Sequence, residues 1–480
     1  MENKPLPPHV FIFPLPYQGP MNSMFNLAEL LCLEGLHITF LVTEYIHSRL
    51  LTSTDIQSRF NSYPGFQLRS VSDGLPDDHP RSGEKFVEVF DSLELKTKPL
   101  LKHMLLTSSG GLRRPVTCII ADGILGFTCD VAKEIGIPII YFRTLSPCCL
   151  WVFFCLPKLI DAGELSLDQS DNMDRLVKNV PGTESFLRRR DLPRFGTFGD
   201  LADKTLQLSK KEGQENPRAL GLILNTFEEL DGPILSHIRT FCPNLYTIGP
   251  LHAHLKAKLS PQTTSLESSS SSLWNEDWSC MTWLDSQPSK SVIYVSFGSI
   301  ATLTKAQLIE FWYGLVNTGF KFLWVIRPDI VAGKDWESQI SQDLSEGTKQ
   351  RGYIVGWVPQ KEVLAHPAVG GFLTHSGWNS TLESICGGVP MICWPYFLDQ
   401  QVNSRFVSEV WKLGLDMKDS CDRVVVENMV KELMEVRREE FSHRAEEMAQ
   451  VAKRCLSDGG SSFCNLHRLV RDIEDMMIQD

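Results

Sequence analysis

Short apolar, β-branched runs alternate with stretches of helical periodicity along almost the whole chain, in two successive series. In the first, His9 to Phe13, Ile38 to Val42, Cys118 to Ala121, Ile137 to Tyr141, Leu222 to Asn225 and Leu245 to Ile248 read as strands. Met24, Leu27, Ala28 and Leu31 recur at helical spacing after the first of them. The second series runs through Val292 to Ser296, Phe322 to Ile326, Tyr353 to Val355, Gly371 to Thr374 and Met391 to Trp394. Strands that alternate with helices build parallel, doubly wound sheets, so the expected fold is α/β with two Rossmann-like domains facing a cleft. A chain of 480 residues is also too long for one core.

Between the series, Gly249-Pro250 ends a strand and a polar stretch from His252 to Ser272 follows, with Pro261 and the run Ser268 to Ser272. It reads as a linker or surface loop. The expected division is residues 1–252 for the first domain and 253–460 for the second, with a linker at 253–280. Residues 461–480 are expected to form a helix packing back on the first domain.

The formal net charge of -11 argues against nucleic acid or an anionic membrane as the main partner. Thirteen cysteines occur without paired CxxC spacing, which speaks for reduced thiols in the core and against a metal site. MENKPLPPHV has no basic-then-apolar leader pattern, and the run Cys148 to Leu156 is too short to span a bilayer. A cytoplasmic monomer is expected.

The chemistry concentrates between Trp357 and Gln400. Gly371 to Thr374 is a strand, His375-Ser376-Gly377 a tight turn, and Trp378 to Ile385 the start of a helix. Such a unit aims unpaired backbone N–H groups and the positive end of a helix dipole at one point, where an anion can sit. Asn379 and Ser380 add side-chain donors, and His375 can hydrogen-bond or, if protonated, partly neutralise a phosphate. Phe297-Gly298-Ser299 follows its own strand in the same topological position. Singly, each turn is an ordinary βα loop; two converging on a diphosphate would stabilise a departing nucleotide without a metal.

The 44 residues from Trp357 to Gln400 (400 − 357 + 1) resemble, at nearly every defining position, the signature box of plant family 1 UDP-glycosyltransferases. A weaker, collinear resemblance covers almost the whole chain. It implies the GT-B fold, with the donor in the second domain and the acceptor in the first. It also implies UDP-glucose as co-substrate and no further cofactor. By resemblance Trp357, followed by Val358, stacks on uracil, and Gln360 and Glu383 hold the ribose. His375, Gly377, Asn379, Ser380 and Ser299 approach the phosphates with Trp378 nearby, and Asp399 and Gln400 take the glucose hydroxyls. Leu398 departs from the family, which usually has a small residue there.

The family places a His as general base after the first strand, in a QGH pattern. Here the sequence is Gln18-Gly19-Pro20, and Pro20 cannot accept a proton. Pro at a first helical position costs nothing, because that N–H is orphaned in any case. Asp122 stands where the family's orienting Asp stands; alone it would be a plain turn former or helix cap. Thr144 resembles a residue that touches the transferred sugar, and Gly19 lies beside the same site. Three routes around the missing base remain open. The acceptor is acidic enough to need little help, Asp122 accepts the proton directly or through a water, or His79 in the loop Asp77-Asp78-His79-Pro80 reaches in. The run Pro147 to Phe154 suits an acceptor-pocket wall or, equally, a buried helix. The amino-terminal stretch FPLPYQGPMNSMFNLAELL resembles that of enzymes acting on iridoids. The reading is inverting glucose transfer to a hydroxyl or carboxyl of a phenolic, terpenoid or iridoid acceptor. A catalytically weak UDP-sugar-binding protein, or an NDP-sugar epimerase or hydrolase on the same fold, stands against it.

Overall fold

The structure is a computed structural model that describes residues 6–54, 56–107, 115–165, 172–194, 202–259, 272–330 and 342–477. The first sheet has seven parallel strands: β1 His9–Phe13, β2 His37–Thr43, β3 Phe66–Val71, β4 Cys118–Asp122, β5 Ile139–Arg143, β6 Gly221–Leu224 and β7 Leu245–Thr247. Their order is β3-β2-β1-β4-β5-β6-β7. The second has six: β8 Val292–Ser296, β9 Lys321–Val325, β10 Gly352–Val355, β11 Val369–Thr374, β12 Met391–Cys393 and β13 Gly414–Asp416, in the order β10-β9-β8-β11-β12-β13.

Alternation along each strand decides which core a side chain joins. In β1, Phe11 and Phe13 enter the core that runs through both domains, while Val10 and Ile12 face the outer layer of the first. Tyr294 and Ile293 divide in the same way between the shared core and the outer layer of the second sheet. The helix Pro147–Asp161, started by Ser146 accepting a bond from Cys149 N, is buried on nearly every side. Each of its large apolar side chains contributes about 1.5–3 kcal/mol.

Two strands escaped the sequence reading. β3 lies at a sheet edge and is mostly half-buried, so FQLRSV carries no continuous apolar run, and β13 is a three-residue edge strand. β5 runs to Arg143, further than the apolar pattern suggested, and so delivers a cation to the end of the sheet. The expected linker is not uniformly loop. The helix Leu251–Lys258 packs on the helix Gln18–Leu33, and the helix Ser279–Asp285 begins within the stretch. Pro261 and Ser268 to Ser271 lie outside the described residues.

The helix Ser461–Met476 packs on the first sheet, burying Leu466, Leu469, Val470 and Ile473 at helical spacing. Tyr246 Oη donates to Asp472 at 2.6 Å, and Ser462 Oγ donates to the Gly249 carbonyl at 2.6 Å. All thirteen cysteines are unpaired. Among the described residues no helix is long and apolar enough to cross a membrane.

Candidate active site

In each sheet the strand order reverses beside the first strand of its series, between β1 and β4 and between β8 and β11. Loops diverge at such a point and leave a crevice beyond the carboxyl ends of the strands. Here the two crevices open into one cavity of about 280 Å³. Gln18, Gly19 and Pro20 reach it from the first domain; Gly298, Ser299, His375 and Gly377 reach it from the second.

On the second-domain side, β8 and β11 end in register, Ser296 opposite Thr374, so both following turns leave at the same level. The helix Trp378–Gly387 starts behind Gly377 and stops at Gly388, whose φ of 65° is a left-handed helix end. His375 is wedged between two glycines. A Cβ on Gly298 would lie 2.4 Å from its Nε2, and one on Gly377 2.5 Å. Gly298 also has φ +70°, which a side chain would strain. Arg327, buried at the end of β9, fixes this turn by donating to the Gly298 carbonyl and, at 2.8 Å, to the Ala301 carbonyl.

Burial, reinforced by Arg327, pushes the His375 imidazole down to about 4. His375 is therefore neutral near pH 7, which leaves hydrogen bonding of the two roles expected of it; positive potential comes from the helix start and Arg327. Gln360 Nε2 donates to Ser380 Oγ at 2.9 Å and to Glu383 at 2.7 Å, while its oxygen accepts from Tyr294 Oη at 3.0 Å. Burial raises the Glu383 carboxyl to about 7. Trp357 lines the cavity with its ring stacked 6.0 Å from that of Trp274, and Val358 is beside it.

Asp399 and Gln400 stand at the start of the helix Gln400–Arg405 and line the cavity. Burial raises Asp399 to about 6 against the pull of a hydrogen bond from Asn403. The Gln400 oxygen accepts from the backbone of Tyr396 and Phe397 at 2.9 and 2.8 Å, which leaves its amino group for a ligand. Leu398 has φ 51°, an uncommon conformation for a branched residue.

Asn379 and Trp378 also tie the domains together. Asn379 Nδ2 donates to the Gly19 carbonyl at 2.9 Å and its oxygen accepts from Ser23 Oγ at 2.8 Å. Trp378 Nε1 donates to the Asn225 carbonyl at 2.8 Å. Both side chains face the cavity, yet their strongest polar groups are already engaged across the domain boundary.

The first-domain side corrects three expectations. The helix Gln18–Leu33 begins at Gln18, so Pro20 occupies its third position rather than its first. Its missing N–H is still among the four orphans of the first turn, and Met21 N makes the opening bond, to Tyr17. Asp122 is fully buried and does not line the cavity. It is 2.6 Å from Arg143 Nη1, accepts from Thr144 Oγ1 at 3.1 Å, and accepts from Ile124 N at 3.3 Å. Its hydrogen-bonded link to the cavity runs through Thr144, which lines it. His79 is likewise absent from the lining: its ring meets Glu88 at 3.1 Å and the Arg81 backbone N–H at 3.1 Å, in a loop pinned by Arg81 and Asp73.

Thr144 does line the cavity, as does Arg143, which the sequence reading passed over. A cation ending an otherwise apolar buried strand was the available signal. Arg143 Nε lies 2.6 Å from Glu212, so one guanidinium is held between two buried carboxyl groups. The helix Pro147–Asp161 is core and supplies no wall. Leu15, Tyr17, Phe86, Ile124, Leu145 and Leu398 do.

Two doubly wound domains share one cavity, glycine turns and a helix start on one side and apolar walls on the other: the arrangement of a two-substrate enzyme with an anionic donor. The family described as UDP-glucoronosyl and UDP-glucosyl transferase matches residues 240–443. The chain is 59% identical to a 7-deoxyloganetic acid glucosyl transferase of Catharanthus roseus, over 98% of each chain. It is 38% identical to a 7-deoxyloganetin glucosyltransferase of Gardenia jasminoides, covering 96% of this chain and 97% of that one. Os79 from O. sativa, solved with UDP, superposes with a TM-score of 0.79 at 28% identity, over 97% of this chain and all of that one. The chain belongs to the UDP-glucosyl transferase family, among the plant family 1 enzymes of GT-B fold, and is a UDP-glucose-dependent glycosyltransferase.

Proposed function

We propose that the protein transfers glucose, with inversion, from UDP-glucose to a hydroxyl or carboxyl of a small lipophilic acceptor of the iridoid or a related terpenoid kind. The observation that carries this reading is the single cavity joining the His375 turn to an apolar compartment at Pro20. In support, the relative at 59% identity is named for an iridoid acid.

The donor lies with uracil against Trp357 and the ribose at Gln360 and Glu383. The diphosphate sits at Ser299, His375 and the N–H groups that open the helix at Gly377, Asn379 and Ser380. Asn379 acts there through its backbone, since its side chain is held by Gly19 and Ser23. Asp399 accepts from, and the Gln400 amino group donates to, the glucose hydroxyls. The acceptor oxygen bonds to the anomeric carbon from the face opposite UDP, and the bond to the phosphate oxygen breaks with its electrons leaving on UDP. A hydroxyl acceptor gives its proton to solvent; a carboxylate brings none. The helix start and the glycine turns meet the charge on UDP without a metal. The enzyme works as a cytoplasmic monomer.

General-base help is worth about 10²–10⁴-fold, so with Pro20 inert and Asp122 buried and held by Arg143, an acidic acceptor is favoured. The test is product analysis by mass after incubation with UDP-glucose and a panel of terpenoid acids, phenols and alcohols. Glucosides or glucose esters of the acidic members are expected. Binding of UDP-glucose without any product would leave a UDP-sugar-binding protein, and free glucose alone a hydrolase.

A further inference from the structure

The first-domain wall of the cavity is largely apolar, with Gln18, Asn22 and Thr144 as neutral polar groups and a single cation. Leu15, Tyr17, Phe86, Ile124 and Leu145 belong to that wall, and among them stands Arg143, 3% exposed. Its position is set from behind. Nη1 is 2.6 Å from Asp122 and Nε 2.6 Å from Glu212, both carboxyl groups being buried. Neither contact uses Nη2, which has no hydrogen-bond partner among the described residues. Burial works against this cation, but Glu212 and Asp122 outweigh it and keep the guanidinium charged. Burial in turn lifts Glu212 to about 7, so near neutral pH the pair does not set two full negative charges against one positive. Arg143 and Asp399, which stands on the sugar side, line the same cavity.

We infer that Arg143 is the acceptor-recognition residue, its Nη2 receiving a carboxylate of a lipophilic acid while Asp122 and Glu212 hold the guanidinium in place. This rests on the transfer reaction proposed above and adds to it a residue and a selection rule. A guanidinium hydrogen-bonded to Asp122 and in ion-pair contact with Glu212, though without hydrogen-bond geometry at Nε, is held ready for a ligand. In a largely apolar compartment it also disfavours a neutral analogue, whose ester carbonyl can accept from Nη2 but carries no charge to offset the guanidinium. A solely structural ion-pair cluster would satisfy its cation internally and show no preference between acid and ester.

The test compares matched acceptors, a hydroxylated monoterpenoid carboxylic acid and its methyl ester, both read for transfer to the hydroxyl, with wild-type, R143K and R143Q full-length enzyme. UDP-glucose binding serves as the control for folding. The wild type is expected to favour the acid by about 10- to 100-fold in kcat/KM, the range of one charge-assisted contact. R143Q is expected to lose that preference while binding UDP-glucose as before, and R143K to keep only a part of it. Equal use of acid and ester by the wild type overturns the inference alone, as does an undiminished preference in both variants. Transfer to neither acceptor, with UDP-glucose bound, overturns the proposed reaction and this inference with it. Should R143Q not fold, the wild-type and R143K measurements decide the matter.

Discussion

Arg143 Nη1 lies 2.6 Å from Asp122, the carboxylate that the family resemblance assigns to orienting a catalytic base. With proline at position 20 there is no imidazole to orient, and an arginine from the neighbouring strand has taken the carboxylate as its own counter-ion. A fixed positive charge faces that carboxylate in this chain. Four measurements on other residues follow from its geometry.

Asp122→Asn removes one of the two carboxyl groups around a buried cation. Breaking a buried pair from one side costs about 3–5 kcal/mol. Urea or guanidinium denaturation should show a loss of that size, and UDP-glucose affinity in the folded fraction should change little, since Asp122 is outside the cavity lining. A fall in kcat with stability untouched would return Asp122 to a role in proton transfer.

Pro20→His restores the base residue without restoring its partner, because Asp122 is already engaged by Arg143 and Thr144. Turnover of unactivated alcohols should rise by less than about tenfold, well below the 10²–10⁴ of an oriented base. Initial rates with a primary alcohol acceptor check this. A gain of three decades would mean that the imidazole finds another orienting group.

Gly298→Ala drives a methyl to within 2.4 Å of the His375 ring, at a backbone φ that disfavours side chains. The strain is about 1–2 kcal/mol before the ring moves. UDP affinity by calorimetry should fall by about tenfold or more, while Gly319→Ala, also at positive φ but with no atom within 4 Å, leaves it unchanged.

Glu383 has a folded-state pKa of about 7 against an ordinary 4.5, raised by burial. The folded protein therefore holds more protons than the unfolded chain between these values, and this group's contribution to stability is full below pH 4.5 and is lost as pH rises through 7. Denaturation midpoints of Glu383→Gln should lack that component. The difference between wild type and variant should then change by at most about 1.4 kcal/mol per pH unit inside the window and level off above it. A difference that is flat from pH 5 to pH 7 contradicts the burial argument.

Most of the architecture was legible in the chain, because period-2 and period-3.6 patterns are local. β8 appears within the bounds that its apolar run marks, and the turn at Gly377 followed by the helix Trp378–Gly387 could be read from contiguous residues alone. The edge strands β3 and β13 could not, since an edge needs no continuous apolar run. Nor could the occupation of Asn379. Its partner Gly19 is 360 residues away, and a donor free in the sequence proves to be holding two domains together.

What the sequence alone determined is the pair of doubly wound domains, the strand, turn and helix around Gly377 and a proline at position 20, all carried by residue type at close spacing. Only the tertiary structure decided the burial of His375 and Asp122 and the place of Arg143 between Asp122 and Glu212. Those depend on burial and on side chains from different elements meeting within a few ångströms, where the local dielectric sets what each group does. No reading of neighbours along the chain contains that distance.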